Sequence, residues 1–332
     1  MVGAVVVRDG EVVGEGWHAE YGMEHAEPGA LRAAGELAHG ATLYVSLEPC
    51  THQGKTPPCV DAVVAAGVRR VVIATRDSNP LATGGITRLA AAGIETLVGV
   101  EEDAARELNA PFFHALNTDR PFVRLKLALS LDGAIADAAR ARGWLTGPGA
   151  RRHVHRMRAD SDAVAVGIGT ALTDDPALTV RGVAQPRIPP TRVVFDRRGR
   201  LPGTSKLVRD ARDVPLILVT AQSAPASARA LEEAGVQVVP ASSLHDALRQ
   251  LRGLGVRSLF VEGGATIAGA LLDDSLVDRL IIFRAPIVLG EGALGAFASV
   301  APTSIAAARR WRVVEQRALD DDTLTIYAPP PG

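Results

Sequence analysis

Cysteine and aromatic residues are scarce in this sequence. The chain of 332 residues has two cysteines, and phenylalanine, tryptophan and tyrosine together make up 4% of it. With so little cysteine and no targeting segment at its start, the sequence lacks the features of a disulfide-stabilised secreted protein. We therefore expect both cysteines to be thiols in a cytoplasmic protein.

An excess of one charge and long apolar runs are also missing. The net charge is −1, and there is no tract of basic residues. Nor does any apolar run reach the roughly 20 residues that a membrane span requires. Because nucleic-acid binding needs a basic surface, a small-molecule substrate is favoured, with no nucleic-acid and no membrane partner. The length and a hydrophobic content of 47% allow two domains, each with its own core.

Both cysteines lie in one short segment, residues 50–59, downstream of His25-Ala26-Glu27. One histidine and two thiolates make three zinc ligands, whereas a structural zinc site is normally closed by four. A catalytic site keeps the fourth position for water, whose pKa zinc lowers to about 7. Protons must still reach the leaving group, and Glu27 is placed to carry them. The set predicts a catalytic zinc bound by His25, Cys50 and Cys59, with Glu27 as acid and base.

Two simpler interpretations of these residues stay open at this point. Buried, inert cysteines with a surface histidine are the commonest fate of such residues taken singly. A purely structural zinc site is the second alternative, although it has no use for Glu27. The joint pattern favours catalysis over both.

Prolines beside the motif suggest how the ligands are presented. Proline suits the first positions of a helix, so Pro57 and Pro58 predict a helix with Cys59 in its first turn. A helix N-terminus also favours the thiolate form of cysteine. Pro28 predicts a second helix over residues 27–38, which places Glu27 at its start. Both ligand groups would then lie at helix N-termini facing one pocket.

The rest of the chain alternates between strand and helix patterns, which predicts an α/β fold. A polar stretch at residues 117–121 divides it into a domain over residues 1–117 and a second over 121–329. In the second, glycine-rich segments at 166–170 and 261–266 follow predicted strands, where backbone amides can approach phosphate. Alone they are a weak signal, since glycine after a strand more often only makes a turn. His153 and His155 are expected on an exposed helix face.

The motif resembles a known family. H-A-E followed by P-C and a later cysteine is similar to the cytidine-deaminase superfamily. The run E-P-C-T-H-Q-G-K-T-P-P-C, with eight residues between the cysteines, resembles the deaminase half of the bifunctional riboflavin-biosynthesis deaminase/reductase. The resemblance implies a cytidine-deaminase-like α/β/α domain with one zinc per chain. It also implies five substrate contacts: His18, His52, Lys55, Asp77 and Asn79. Ordinary loop histidines remain the alternative for His18 and His52.

The second half resembles the reductase domain of the same bifunctional enzyme. The resemblance is carried by K-L-A-L-S-L-D-G at residues 126–133, W-L-T at 144–146, D-D-P-A-L-T-V-R at 174–181 and E-G-G at 262–264. It implies a dihydrofolate-reductase-like α/β fold that uses NADPH. The residues implied near NADPH are Ala128, Trp144, Thr170, Asp174, Gly264, Ala265 and Thr266. Those implied near the ribose phosphate are Arg142, Arg158, Leu178, Arg181 and Glu262. Exposed ion pairs remain the alternative for Arg158 and Arg181.

The sequence departs from the family at its start and at one pocket position. The family has a helix of about 20 residues and an Asn-Pro pair before the segment matched by residues 2–5, and the chain as given has neither. Because that asparagine helps to hold the pyrimidine in the family, its absence here predicts an impaired deaminase as the alternative to a fully active one. Arg142 replaces a serine.

Together these observations predict a two-step enzyme. Zinc-dependent hydrolysis removes the amine of 2,5-diamino-6-ribosylamino-4(3H)-pyrimidinone 5′-phosphate, and NADPH then reduces the ribosyl group to ribityl. The alternative is a reductase alone, with an impaired, N-terminally truncated deaminase domain. The resemblance is compatible with a homo-oligomer.

Overall fold

The computed structural model describes residues 2–20, 22–141, 143–221 and 227–330. Arg142, which the resemblance implied as a substrate contact, lies outside these residues. The chain divides into two compact units, Met1–Asn117 and Thr118–Gly332. Each unit has its own sheet and its own core.

The first unit is built on a five-stranded sheet with the order β2-β1-β3-β4-β5. Its strands are β1 (Gly3–Arg8), β2 (Glu11–Trp17), β3 (Thr42–Leu47), β4 (Arg70–Thr75) and β5 (Glu95–Val98). Its helices are α1 (Ala26–Ala34), α2 (Cys59–Ala65), α3 (Gly85–Ala91), α4 (Glu102–Leu108) and α5 (Ala110–Asn117). The β1–β2 hairpin is antiparallel, and β1 also runs antiparallel to β3. Because β3, β4 and β5 are parallel, the chain segments that follow them begin at one edge of the sheet.

Alternation along the strands sets the core of this unit. Val71 and Ile73 of β4 are fully buried in one cluster with residues of α1, α2 and α3. Val72 between them is buried on the opposite face, and α4 contacts β4. The sheet is therefore covered on both faces, as parallel strands require.

The second unit is built on a nine-stranded sheet with the order β11-β10-β9-β8-β12-β6-β13-β16-β15, beside a two-stranded pair, β14-β7. Its strands are β6 (Phe122–Leu129), β7 (Ala134–Ala136), β8 (Ala163–Gly167), β9 (Thr191–Phe195), β10 (Leu216–Thr220), β11 (Gln237–Pro240), β12 (Ser258–Glu262), β13 (Arg279–Arg284), β14 (Leu294–Gly295), β15 (Arg312–Leu319) and β16 (Asp322–Ala328). Its helices are α6 (Pro148–Ala159), α7 (Ile168–Asp174), α8 (Lys206–Arg209), α9 (Ser227–Glu233), α10 (Leu244–Gly253) and α11 (Ala265–Asp273).

Strands β6 and β8 to β13 of this large sheet are parallel, and β15 and β16 complete it in antiparallel register. Leu259 and Val261 of β12 lie in one buried cluster, whereas Phe260 between them lies in the other. The two clusters are the two faces of the sheet. The carboxyl ends of the parallel strands meet at one edge, which is where α/β proteins bind ligands.

The helix that carries Glu27 differs from its prediction. A helix was expected over residues 27–38, but α1 ends at Ala34, and a 3-10 turn continues over Gly35–Ala38. The break falls at Gly35, whose φ of 55° is a left-handed conformation that favours glycine. The start of the helix, which presents the predicted site residues, lies within one residue of its predicted position.

Candidate active sites

His25, Cys50 and Cys59 form a compact cluster in the first unit. His25 Nδ1 lies 3.1 Å from Cys59 Sγ and 3.6 Å from Cys50 Sγ. All three potential donor atoms lie within 4.8 Å of one another. Within the described residues, these are the one group of three or more His, Cys, Asp or Glu side chains close enough to hold a metal ion. Both cysteines are free thiols in the structure.

Two chain segments bring the cysteines together. Cys50 follows β3, and Cys59 is the first residue of α2, where its backbone amide donates to Cys50 Sγ at 3.4 Å. The next amide, of Val60, donates to the Cys50 carbonyl at 3.3 Å. The helix was expected to include Pro57 and Pro58, but Pro58 has an extended ψ of 130° and precedes it. Cys50 thus satisfies two helix amides that would otherwise lack partners.

Helix α1 reaches the cluster because β2 carries two glycines. A Cβ on Gly14 would lie 2.3 Å from the Ala30 carbonyl oxygen, and one on Gly16 would lie 2.2 Å from that of Ala26. Both distances are too short for any side chain, so the helix backbone packs directly on the hairpin. This close approach places His25, just before the helix, and Glu27, in its first turn, beside the cysteines.

Glu27 is 3% exposed, and its surroundings favour the protonated form. Burial raises the pKa of Glu27 to about 7, with the nearby Cys50 thiolate adding to the effect. A hydrogen bond with Cys59, together with His25, lowers the pKa of the Cys50 thiol to about 4. Cys59 shares that hydrogen bond, which raises its own pKa. The cluster therefore combines a ready thiolate with a carboxyl group that can both accept and donate a proton near neutral pH.

These donors fit zinc, which binds thiolate sulfur and imidazole nitrogen in tetrahedral sites. Three donors leave one coordination position for water or substrate, and Glu27 remains available beside them. The arrangement suits hydrolysis better than a structural role, because a closed structural site would need a fourth protein ligand.

The five predicted substrate contacts of this unit divide into two groups. His18, Asp77 and Asn79 lie outside the loop between the cysteines, and His52 and Lys55 lie within it. The His18 ring packs edge-on against the His25 ring, with 5.1 Å between the ring centroids. Asp77 is buried, and Cys50 and His52 lie close enough to influence its pKa. Burial is the main cause that raises the pKa of Asp77. Asn79 is held beside Asp77, because its amide donates to Asp77 Oδ1 at 2.8 Å.

His52 and Lys55 belong to the loop between the cysteines. Nδ1 of His52 is buried and has no hydrogen-bond partner among the described residues. The Lys55 side chain lies over Gly22, where a Cβ would approach Lys55 Cδ to 3.0 Å. A buried ring nitrogen without a partner is costly, so the position of His52 is suited to a polar ligand.

The second unit contains a large cleft of about 1980 Å³ at the carboxyl edge of its sheet. All of the predicted cofactor residues line it: Ala128, Trp144, Thr170, Asp174, Gly264, Ala265 and Thr266. The predicted phosphate-side residues within the described ranges line it as well: Arg158, Leu178, Arg181 and Glu262. Residues that are far apart in sequence therefore meet in one cleft.

The two glycine-rich segments lie next to each other in this cleft. The segment at 166–170 ends β8 and begins α7, and the segment at 261–266 ends β12 and begins α11. Because β8 and β12 are neighbours, a Cβ on Gly264 would lie only 3.0 Å from Thr170 Oγ1. The glycine keeps the floor of the cleft open between two helix starts, a geometry suited to a nucleotide cofactor.

Arg158 and Glu262 form a buried ion pair at the same cleft, with side chains 10% and 15% exposed. Arg158 donates from Nε and Nη2 to the two carboxylate oxygens, and from Nη1 to the Thr179 carbonyl at 2.8 Å. Burial alone would raise the pKa of Glu262, but the charges of Arg158 and Lys126 outweigh it and lower that pKa. The alternative of an exposed ion pair is wrong for Arg158.

At several residues around the two sites, the structure adds to or corrects what the sequence predicts. Lys126 lines the cleft beside Glu262, and burial lowers its pKa. His153 and His155 were expected to be exposed but are partly buried, and His155 Nδ1 accepts a hydrogen bond from the Arg181 amide at 3.1 Å. In the first unit, buried Glu48 accepts hydrogen bonds from three backbone amides. Lys126 belongs to the 126–133 segment that carries the family resemblance, and the sequence left open whether it only holds the end of the strand.

The two sites define a protein that joins a zinc-dependent deaminase domain to a reductase domain. The sequence matches the family model for the cytidine and deoxycytidylate deaminase zinc-binding region over residues 1–75 and that for the RibD C-terminal domain over 121–325. The riboflavin biosynthesis protein RibD of Aquifex aeolicus is 44% identical over 294 residues, or 88% of this chain and 82% of that protein.

Solved structures agree with these matches. RibD of Acinetobacter baumannii has a TM-score of 0.83 at 39% identity and covers 99% of this chain and 92% of its own. A deaminase/reductase from Thermotoga maritima has a TM-score of 0.85 at 36% identity, with coverages of 99% and 91%. The chain belongs to the RibD family of riboflavin biosynthesis proteins.

Family membership confirms several predictions made from the sequence. The fold is a cytidine-deaminase-like domain followed by a dihydrofolate-reductase-like domain, and the enzyme is bifunctional, with zinc and NADPH as cofactors. The deaminase domain is present, so the alternative of a reductase alone is not supported. Enzymes of this family act on a small phosphorylated pyrimidine. In the described part of the chain, no helix is long and apolar enough to cross a membrane.

Proposed function

We propose specific roles for the residues of the deaminase site. His25, Cys50 and Cys59 would hold zinc, which supplies the Lewis acidity that makes water nucleophilic at neutral pH. The observation that carries the proposal is the buried Glu27 carboxyl group beside the two thiols, within the same small cluster. No other carboxylate is implied in proton transfer at this site.

Glu27 acts as the proton carrier of the deamination. Water adds to the amine-bearing carbon of the pyrimidine, the carbon–nitrogen bond breaks, and ammonia leaves. Glu27 accepts a proton from the attacking water and delivers it to the departing nitrogen. A pKa close to the working pH lets one group perform both transfers.

The surrounding polar residues recognise the phosphorylated pyrimidine. Asp77 and Asn79, joined by a hydrogen bond from the Asn79 backbone amide to the Asp77 carboxylate, would face the ring amine and carbonyl groups. His18 and His52 border the ring, and Lys55 binds the phosphate, for which an ammonium group is suited. The substrate is 2,5-diamino-6-ribosylamino-4(3H)-pyrimidinone 5′-phosphate.

In the reductase domain, the predicted residues divide between cofactor and substrate. NADPH supplies the hydride and would lie along Ala128, Trp144, Thr170, Asp174 and the start of α11. Arg158 fixes Glu262 through its two hydrogen bonds and holds the 178–181 segment through Thr179. Arg181 is exposed at the cleft and binds the ribose phosphate together with Leu178. A role for Arg142, which lies outside the described residues, rests on the family resemblance alone. The cleft brings the sugar carbon to the nicotinamide, and positioning is its main contribution.

The proposed deaminase domain covers residues 1–117 and the reductase domain 121–329. We place the enzyme in the cytoplasm, which two reduced thiols in the zinc site favour. A homo-oligomer of the two-domain enzyme is compatible with this proposal, and sedimentation of the purified chain measures its oligomeric state. Nucleic acid has no role in the proposal, since the net charge is −1.

Replacing Glu27 with glutamine separates the two activities. Glu27→Gln should lower ammonia release by about 100-fold or more, because general acid–base catalysis typically contributes 10²–10⁴-fold. NADPH oxidation with the deaminated substrate should stay within about twofold of the unmodified enzyme. The control is Glu36→Gln, which removes an exposed carboxylate from the turn after α1. Undiminished ammonia release by Glu27→Gln, or parallel loss of both activities, would contradict the proposed roles.

A further inference from the structure

Glu48 is a buried carboxylate that no predicted role accounts for. It follows β3, two residues before Cys50, and is 5% exposed. Its Oε2 accepts from the Asp77 amide at 3.2 Å. Its Oε1 accepts from the Gly84 and Ile86 amides at 3.2 and 3.1 Å. Hydrogen bonds from three amides stabilise the buried carboxylate and tie these parts of the backbone to it.

The three amides bracket one loop. Asp77 opens the loop after β4, and Gly84 and Ile86 close it at the start of α3. Within the loop, Asp77 and Asn79 are the proposed substrate contacts, and the loop is held to the sheet at its two ends by the same side chain. The Glu48 amide also donates to the Thr75 carbonyl at 3.0 Å, which fixes Glu48 against the end of β4.

Two adjacent glycines let the loop end reach the carboxylate. Gly84 has a φ of 98°, in the left-handed region that favours glycine. A Cβ on Gly85 would lie 2.1 Å from the Pro49 carbonyl oxygen, so the backbone at α3 packs directly on the residue after Glu48. Neither position accepts another residue without moving the loop, which shows that the approach of these amides to Glu48 is built into the sequence.

The bracketed loop also covers the cysteine cluster. Ala82 is 2% exposed and packs with Cys50 and Cys59 in a small buried group. Thr51 binds the same part of the loop, with its amide donating to the Ala82 carbonyl at 3.3 Å and its hydroxyl to the Thr83 carbonyl at 2.8 Å. A shift of the loop would therefore alter the proposed pyrimidine contacts directly above the cluster.

We propose that Glu48 is a positioning residue for deamination, which holds the 77–84 loop so that Asp77 and Asn79 meet the pyrimidine. This inference rests on the proposed role of Asp77 as a substrate contact. Glu48 does not touch the substrate in this proposal. It acts through the backbone amides of the loop, and its effect is on substrate binding rather than on the metal.

Glu48→Gln tests the proposal, because glutamine keeps the shape but replaces one accepting oxygen with a donor that opposes a backbone amide. We expect the KM for deamination to rise about tenfold and kcat to change less than about threefold. Zinc content should stay at one per chain, and NADPH oxidation by the other domain should be unchanged. Loss of zinc, or an unchanged KM, would overturn the proposal.

A matched control is Asp61→Asn. Asp61 on α2 pairs with Arg88 on α3, so this variant loosens α3 through an exposed carboxylate while leaving the loop amides on Glu48. Its KM should stay within about twofold of the unmodified enzyme. A tenfold rise in the control would mean that any loosening of α3 suffices, which would remove the specific role of Glu48.

A double-mutant cycle separates this inference from the assignment of Asp77. If Glu48 acts through the loop, Glu48→Gln should add little to the KM of Asp77→Ala, so the two effects should fall clearly short of additive. An unchanged KM in Asp77→Ala alone would contradict the proposed substrate contact. A raised KM in Asp77→Ala with full additivity in the double variant would instead contradict the positioning role of Glu48.

Discussion

The two units of this enzyme use their residues in opposite ways. In the deaminase unit, the chemistry is concentrated in one cluster, where donor atoms from three chain segments lie within 4.8 Å of one another. In the reductase unit, the predicted residues are spread along a cleft of about 1980 Å³ formed by the ends of several strands. In the proposed function, the first site depends on a few side chains that no other residue can replace. The second depends on shape and on a buried ion pair, so single substitutions should be less damaging there.

The largest expected effect comes from removing a proposed metal ligand. Cys59→Ser should lose most of its zinc and more than about 100-fold of its deaminase activity, since even changes around metal ligands cost 10–100-fold. Zinc analysis and ammonia release measure the two effects, and NADPH oxidation should be retained. The conservative control is Ser46→Ala, which removes a hydroxyl from β3 near the cluster segment. Normal zinc content in Cys59→Ser would show that zinc binding in the first unit does not depend on each single donor.

An intermediate effect is expected when the cleft is narrowed. Gly264→Val would place a side chain where even a Cβ would lie 3.0 Å from Thr170 Oγ1, so the KM for NADPH should rise roughly tenfold, about 1.4 kcal/mol. Steady-state kinetics with varied NADPH measure this, while ammonia release stays unchanged. Gly253→Ala is the control, because its Cβ would meet no atom within 4 Å. An unaltered KM for NADPH would remove Gly264 from the cofactor site.

The smallest expected effect is a pH dependence of the reductase unit. Burial, together with Arg317 and Arg156, lowers the pKa of His153 to about 4 from the ordinary 6.5. Because the folded pKa is depressed, the unfolded state binds more protons between pH 6.5 and 4, and stability falls as the pH falls through this window. After allowance for solvent screening, the loss is about 1 kcal/mol.

His153→Gln should remove that part of the acid sensitivity. Thermal unfolding of the reductase unit, followed between pH 7 and 4, should show a flatter profile than the unmodified enzyme. His245→Gln, at an exposed position of α10, should leave the profile as it is. Equal slopes in all three proteins would show that the environment of His153 does not perturb its titration.

The sequence predicted the compact cluster of the first unit more directly than the extended cleft of the second. His25, Cys50 and Cys59 were identified because the chain has only two cysteines and eight histidines, whose zinc chemistry is specific. Glu27 was identified because it stands two residues after His25 in the H-A-E motif. The cleft residues could be predicted only through the family resemblance, since glycines at 166–170 and 261–266 are ordinary strand ends until β8 and β12 are known to be neighbours. The alternation of strands and helices was sufficient for the fold class.

The remaining errors have physical causes. Glu48 stands in the quoted motif but received no role, because its partners are backbone amides, which leave no mark in the side-chain pattern. His155 was taken for an exposed helix residue, because the segment that packs over it, around Arg181, is separated from it by 26 positions. Pro57 and Pro58 are equally suited to positions inside the first turn of a helix and just before it. The hydrogen bonds from the Cys59 and Val60 amides to Cys50 place the start of the helix at Cys59, after both prolines.

The two glycines of β2 bear on how such sites are recognised in other chains. The helix that presents His25 and Glu27 rests on Gly14 and Gly16, and neither position has room for a methyl group. A search that scores only metal donors and acids would accept a sequence with larger residues at these two positions. Such a chain would carry every functional group of the deaminase yet hold its carboxylate at the wrong distance. A search for active deaminases should therefore also require glycine at these two positions of the strand.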